Sequence, residues 1–377
     1  MKIVYCLNSI RGLGGIQRVT LVKANALAEL LDNKVYIVVT DNNPSHELVH
    51  PLSDKVKFIH LPINYYQDDY KTDLRSRLRQ KMVFMKHYFL LQQKINEIQP
   101  DIIVSVGQSE KWFIPLLHTK ATKIRELHFN SNYRDYTYTS KWKRNILSWL
   151  DFTVNCKGYD KVVLLTHEDK QDHFPNDDRF IVMPNPCSFE IPNQEGTKRE
   201  KIVLAAGRLN DQKNFASLIR SWGLIADKVS DWKLRIVGEG PDRKKLEKLI
   251  HELHCESNVE LPGYSNCMDK EMQQASFYVA SSKYEGFMLT LVEALHFGLP
   301  CVSYAFPYGP KDILTDGGGI LVEINNEEAL AESILSLINN PEKLEALRKE
   351  ALARSEDYDV SQIIALWMDL FKLLRQN

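Results

Sequence analysis

Residues 201–222 read KIVLAAGRLNDQKNFASLIRSW. The run KIVLAAG is apolar on both faces, a polar turn follows, and FASLIRSW then reads as a helix. A strand apolar on both faces belongs inside a parallel sheet covered by helices. The same strand–turn–helix unit recurs along the chain. In the first half, strands are expected at 2–8, 34–40, 56–62, 101–107, 123–129 and 161–166, and in the second at 201–207, 233–240, 259–263, 277–282, 300–306 and 319–323. Between the halves, PNPCSFEIPNQEGTKRE (184–200) concentrates Pro, Asn, Glu and Lys and breaks the alternation. It reads as a linker. The expectation is an α/β protein of two doubly wound domains, 1–185 and 186–359, with the last helix, 360–377, packing back on the first.

Composition narrows the functional classes. The chain has 377 residues, 44% hydrophobic and 26% charged, which suits two globular cores. A formal net charge of -1 gives no global argument for nucleic acid as a partner. Six scattered cysteines without a C-x-x-C pair fit a reducing compartment and offer no metal-ligand spacing. The opening MKIVYCLNSIRG lacks the apolar length of a signal peptide, and no later run is long enough to span a bilayer, so a cytoplasmic protein is expected. The D-x-D triplet Asp357–Asp359 reads as a helix start, with Asp359 and Gln362 as a capping pair, rather than as a metal site.

Several strand-to-helix junctions are suited to an anion. After the first strand, SIRGLGGIQRV places Gly12, Gly14 and Gly15 before a helix, where glycines admit a ligand to the backbone and a helix start offers N–H groups. A plain tight turn is the alternative, and the dinucleotide fingerprint fails because Gln17 stands where its last glycine belongs. Arg208 and Lys213 straddle the turn after KIVLAAG, placed to hold a diphosphate or, in the plainer reading, simply solvated. KLRIVGEG ends in Gly238-Glu239-Gly240, and NVELPGY ends in Gly263-Tyr264, whose ring or backbone can face a base. In KYEGFMLTLVEALHFGLP (283–300), Glu285 lies in a loop and Glu293 about one turn inside a helix starting near Met288 or Leu289. Glu293 sits among Leu291, Val292, Ala294 and Leu295, where a lone carboxylate is costly. Either it accepts hydrogen bonds from vicinal hydroxyls, as a ribose presents, or it pairs with a core cation.

The ordered set EGFMLTLVE, ALHFGLPCVSY, GRLNDQKNF, VGEGPDRKKLEKLI, NVELPGYSNCMDKEMQQASFYVASS, GGIQRV and RELHFN resembles the retaining glycosyltransferases of family four over nearly the whole length. FPYGPKDIL is similar to the polysaccharide- and lipopolysaccharide-assembly branch. The resemblance implies a GT-B fold, two Rossmann-like domains facing across a cleft. It implies metal-independent, front-face transfer of a hexosyl unit from a nucleotide-sugar donor, a UDP-sugar, to a glycan or lipid-linked glycan acceptor, with no cofactor. By the same resemblance, Arg208 and Lys213 hold the diphosphate and Glu293 binds the ribose. Glu285 with the Gly286, Phe287, Met288, Leu289 and Thr290 stretch holds sugar hydroxyls and β-phosphate. Gly15 lets the first domain close over the phosphates, Gly238 belongs to the donor site, His128 sits beside sugar and acceptor, and Tyr264 marks the base pocket. Met288 departs from the Gly or Pro common in the family, which bears on sugar selection.

Two basic stretches stand outside that pattern. Residues 70–98 carry Arg75, Arg77, Arg79, Lys81 and Lys86 beside Met82, Phe84, Phe89 and Leu90, and TSKWKRNILSWL (139–150) adds Lys141, Lys143 and Arg144 with Trp142 and Trp149. One reading is a solvated basic face over a packed core; the other is peripheral contact with anionic lipid at the inner face of the membrane. For the whole chain, the rival to an enzyme is a nucleotide-sugar-binding regulator or scaffold without turnover, and an NAD-dependent oxidoreductase is disfavoured by the missing glycine fingerprint.

Overall fold

The structure is a computed structural model that describes residues 1–11, 14–30, 32–41, 50–63, 65, 74–189 and 199–376. Gly12 and most of the linker lie outside the described residues. The chain divides into two compact units, Met1–Ser188 with Val360–Asn377, and Phe189–Asp359.

Among the described residues, the first unit holds seven parallel strands: β1 (Lys2–Leu7), β2 (Lys34–Val39), β3 (Lys57–His60), β4 (Ile102–Ser105), β5 (Thr122–Glu126), β6 (Lys161–Leu164) and β7 (Phe180–Val182). Their spatial order is β3-β2-β1-β4-β5-β6-β7. Helices α1 (Gly15–Glu29), α2 (Leu74–Ile98), α3 (Tyr133–Thr137), α4 (Lys141–Ser148) and α5 (His167–His173) belong to this unit. Side chains of a strand alternate between faces, and so the sheet serves two cores. Ile3, Tyr5, Leu7 and Ile124 pack on one side, and Val4, Cys6, Ile103 and Val162 on the other. Leu91, Ile95 and Ile98 of α2 fill the second core.

The second unit holds β8 (Ile202–Ala206), β9 (Lys233–Val237), β10 (Val259–Gly263), β11 (Phe277–Ala280), β12 (Cys301–Tyr304) and β13 (Gly319–Val322), again all parallel. Interleaved are α6 (Phe215–Gly223), α7 (Arg243–Glu252), α8 (Met268–Gln274), α9 (Leu289–His296), α10 (Pro310–Leu314), α11 (Glu327–Ile338) and α12 (Pro341–Ser355). The order β10-β9-β8-β11-β12-β13 is that of a dinucleotide-binding sheet, reversing direction between β8 and β11. Each unit is therefore Rossmann-like. The final helix, α13 (Val360–Gln376), returns to the first unit, where Ile363, Trp367 and Phe371 join the core beside Leu21, Ala24 and Leu27 of α1.

Sequence-based strands match twelve of these thirteen, all but that at Val259–Gly263 one to three residues too long; β7 went unread. His128 was expected inside a strand, but β5 stops at Glu126 and leaves it in the following loop. Of the D-x-D triplet, Asp357 is bonded by the guanidinium of Arg354.

Candidate functional site

In a doubly wound sheet, ligands collect beyond the carboxyl ends of the strands where the order reverses. In the second unit that place lies after β8 and β11. The chain leaves β8 through Gly207 (φ +154°), and Gly238 (φ +149°) follows β9 beside it. The Gly207 N–H donates to the Val237 carbonyl at 3.0 Å, and the Gly238 N–H to the Gly263 carbonyl at 2.8 Å. A Cβ on Gly238 would stand 1.9 Å from the Gly207 carbonyl oxygen. Three neighbouring strands thus run out at a glycine, in or just after the strand, leaving backbone rather than side chains at the edge.

Arg208 follows, exposed and without an ion pair among the described residues. Lys213 turns back so that its Nζ lies 2.7 Å from Oε1 of Glu285, in the loop after β11. Two other donors fix that carboxylate. Ser282 Oγ donates to Oε1 at 2.9 Å, and Gln212 Nε2 donates to Oε2 at 3.2 Å and to the Tyr284 carbonyl at 3.0 Å. Ser281 Oγ bonds the Lys213 carbonyl at 2.9 Å, and the Lys283 N–H bonds that of Gln212 at 2.8 Å, lacing the two loops together. The cation and the acid read separately from sequence are therefore one unit of the site. Gln212 and Ser282 were missed; both lie within three residues of a residue that was read, and ordinary loop polarity concealed them.

Gly286 and the buried Phe287 and Met288 lead into α9, which begins at Leu289 and Thr290. A helix start normally leaves its first N–H groups open, but that of Leu289 is taken. The Leu289 N–H donates to the Phe287 carbonyl at 3.0 Å, because the chain tightens by one residue before the helix. Glu293 lies inside α9, 2% exposed. The helix stops where expected: Gly298 takes φ +62°, its N–H bonds Leu295 at 2.8 Å and the Leu299 N–H bonds Ala294 at 2.9 Å, a Schellman ending. Tyr264, just past Gly263, is 54% exposed, with its ring open to solvent.

Gly15 and His128 belong to the first unit. Gly15 opens α1. His128 lies over a buried ion pair between Lys23 of α1 and Glu126 at the end of β5, both 1% exposed. Its Nε2 is 3.4 Å from Oε1 of Glu126, and the Lys23 ammonium also faces the Trp367 ring, 4.8 Å from its centroid. Burial drives the His128 pKa down to about 4 against the pull of Glu126, so the ring is neutral near pH 7. Burial alone would raise the Glu126 carboxyl, but Lys23 and then His128 outweigh it and hold it below the usual range. Lys23 and Glu126 escaped the sequence reading, although the signal was there: a lysine within TLVKANAL is as anomalous as a glutamate within LTLVEAL. On the opposite face of β5, Arg125 meets Asp151 at 2.7 Å, and Asp151 also accepts from Lys111 at 2.9 Å and Arg134 at 2.5 Å. Among the described residues, no group of three or more His, Cys, Asp or Glu is placed to hold a metal ion.

The family model for glycosyl transferases group 1 matches residues 188–354, which contain Arg208, Lys213, Glu285 and Glu293. The candidate residues of the second unit thus lie within that match, and the chain is a glycosyltransferase. The enzyme is 28% identical over 376 residues to an uncharacterized glycosyltransferase of Haemophilus influenzae, covering 97% of this chain and 98% of that one. It is 25% identical over 379 residues to the amylovoran biosynthesis glycosyltransferase AmsD of Erwinia amylovora, covering 98% and 99%. Among solved structures, a mutant of TarM from S. aureus, in complex with fondaparinux, alpha-GlcNAc-glycerol and UDP, aligns with a TM-score of 0.73 at 18% identity, covering 98% of this chain and 99% of that one. The two Rossmann-like units are those of the GT-B fold.

Proposed function

We propose that the enzyme moves a hexosyl unit from a UDP-sugar to a glycan or lipid-linked glycan acceptor in cell-surface polysaccharide assembly, with retention and without metal. The observation that carries this reading is the Lys213–Glu285 pair at the reversal point of the second sheet, with Arg208 exposed on the same turn. Breaking a sugar–phosphate bond builds negative charge on the departing diphosphate, and fixed cations at that point stabilise it most. Lys213 lies between a carboxylate and the space beyond β8, so it can face a phosphate while Glu285, held by three donors, accepts from sugar hydroxyls. The glycine edge at 207, 238 and 263 lets a nucleotide approach the backbone. Glu293, in the interior of α9, is the candidate for the ribose, and Tyr264 for the base. In the front-face route the leaving phosphate takes the acceptor's proton, and neutral His128 serves the sugar and acceptor as a hydrogen-bonding group rather than a cation. Amylovoran biosynthesis in the relative's name and UDP in the TarM complex support the pathway class and the base.

The test is slow hydrolysis of UDP-, GDP- and ADP-sugars without acceptor, with chelator present, alongside thermal unfolding. A donor at a hundred times its Kd should add about 2.7 kcal/mol to native stability. Release of UDP with the α- or β-configuration of the donor sugar preserved in the freed product supports the proposal. Binding of a nucleotide sugar without release of nucleotide, with or without glycan acceptors, would identify a regulator instead.

A further inference from the structure

Helix α2 has two apolar faces. One is ordinary: Leu91, Ile95 and Ile98 are buried in the core. The other points the opposite way. Leu78, Met82, Met85 and Phe89 are 62%, 67%, 50% and 62% exposed. Steps of four, three and four residues at 100° each keep these side chains within a band about 60° wide and about 16 Å long. A water-facing helix surface is normally polar, and a contiguous exposed apolar stripe marks a contact site. The sequence had grouped Met82, Phe84, Phe89 and Leu90 together. The structure separates them: Phe84 turns in, its ring centroid 5.0 Å from that of Phe113, and Leu90 packs at the core's edge, while Met82 and Phe89 face out.

The charges beside the stripe indicate what covers it. By the same angular count, Arg75, Arg79 and Lys86 lie along one border and Lys81 along the other, and residues 74–96 contain no Asp or Glu. Two copies of such a helix would set basic borders against each other, which disfavours self-association. An anionic bilayer satisfies both features, because its headgroups meet the cations while its acyl boundary takes up the apolar side chains. In the same unit, α4 buries none of its residues and shows Trp142 at 74% exposure. Trp149, next in the chain, is 57% exposed; Lys143 and Arg144 lie between the two, and Lys141 stands just before Trp142. Exposed Trp beside Lys and Arg is the composition of a membrane–water interface. No helix among the described residues is long and apolar enough to cross a membrane.

We infer that α2 docks the first unit on the surface of an anionic lipid bilayer through the Leu78–Met82–Met85–Phe89 stripe. This inference is independent of the donor and acceptor proposed above. The test is sedimentation of the full chain with vesicles of phosphatidylcholine, with and without phosphatidylglycerol, at low and physiological salt. Binding should require phosphatidylglycerol and weaken with salt. A Leu78→Ser/Met82→Ser/Phe89→Ser variant should bind about tenfold or more weakly, with its melting temperature and its nucleotide release in solution unchanged. Three outcomes would overturn the inference. One is no binding by the wild type even at low salt. The second is equal binding by the triple variant, which would mean that basic residues alone hold any polyanion. The third is a light-scattering dimer that the triple variant abolishes, which would assign the stripe to a second copy of the chain.

Discussion

Lys213 illustrates how one side chain holds a site together. Its ammonium neutralises Glu285 in the structure and ties the turn after β8 to the loop after β11. Replacing it with Ala should lower turnover by about ten- to a thousandfold, the scale for removing one charge-stabilising donor. Single-turnover release of nucleotide measures this, and wild-type rates would remove Lys213 from the chemistry. At the buried Lys23–Glu126 pair, Glu126→Gln leaves the Lys23 ammonium without its counter-charge. Breaking such a pair should cost about 3–5 kcal/mol, read from denaturant unfolding. The histidines set an acid limit. Burial holds His128 down to about 4 and His87 to about 3, while the unfolded chain takes up these protons near 6.5. The unfolded state therefore binds more protons between those values, and stability should fall as pH drops from about 6.5 toward 4. His173 acts with the opposite sign, because Asp169 raises its pKa and its contribution fades as pH rises. Thermal unfolding across that pH range checks the balance, which should favour the two buried rings.

At the scale of elements, the edge formed by β8, β9 and β10 depends on having no side chains there. Gly238→Ala would force a Cβ onto the Gly207 carbonyl at a φ that L residues avoid, so the two strand ends must part. The expected loss is about 1–3 kcal/mol in thermal unfolding, together with weaker nucleotide binding. Most strands were legible in sequence because runs such as KIVLAAG and FYVASS are apolar on both faces, a pattern that parallel sheets demand. β7 was not: three residues, Phe180–Val182, make too short a run to show a period, and pairing with β6 and the burial of Phe180 in the second core specify it. The end of α9 was legible because Gly298-Leu299-Pro300 carries its own stop signal. Its beginning, read near Met288 or Leu289, falls at Leu289; what was not announced is the turn that takes up the Leu289 N–H.

At the scale of the molecule, the sequence conveyed the two-unit organisation through its length and the Pro- and Asn-rich break at 184–200, and the reversal at β8/β11 makes sense of where the second unit's candidate residues lie. Arg208, Lys213, Glu285 and Glu293 were legible because each is a charge placed against an expected pattern, in a loop after a strand or inside an apolar helix. What sequence could not supply is pairing. Nothing in TLVKANAL says that its lysine will meet RELHFN a hundred residues on, and nothing in the basic run at 75–86 says which of its apolar residues face outward. The unit boundary has a temporal side. Trp367 covers Lys23 and closes the core around α1, yet it lies beyond the whole second unit in the chain. On the ribosome, the core around α1 is thus left waiting, its Lys23 without that cover, until α13, made after the whole second unit, emerges to seal it. The order of synthesis and the order of completion run in opposite directions.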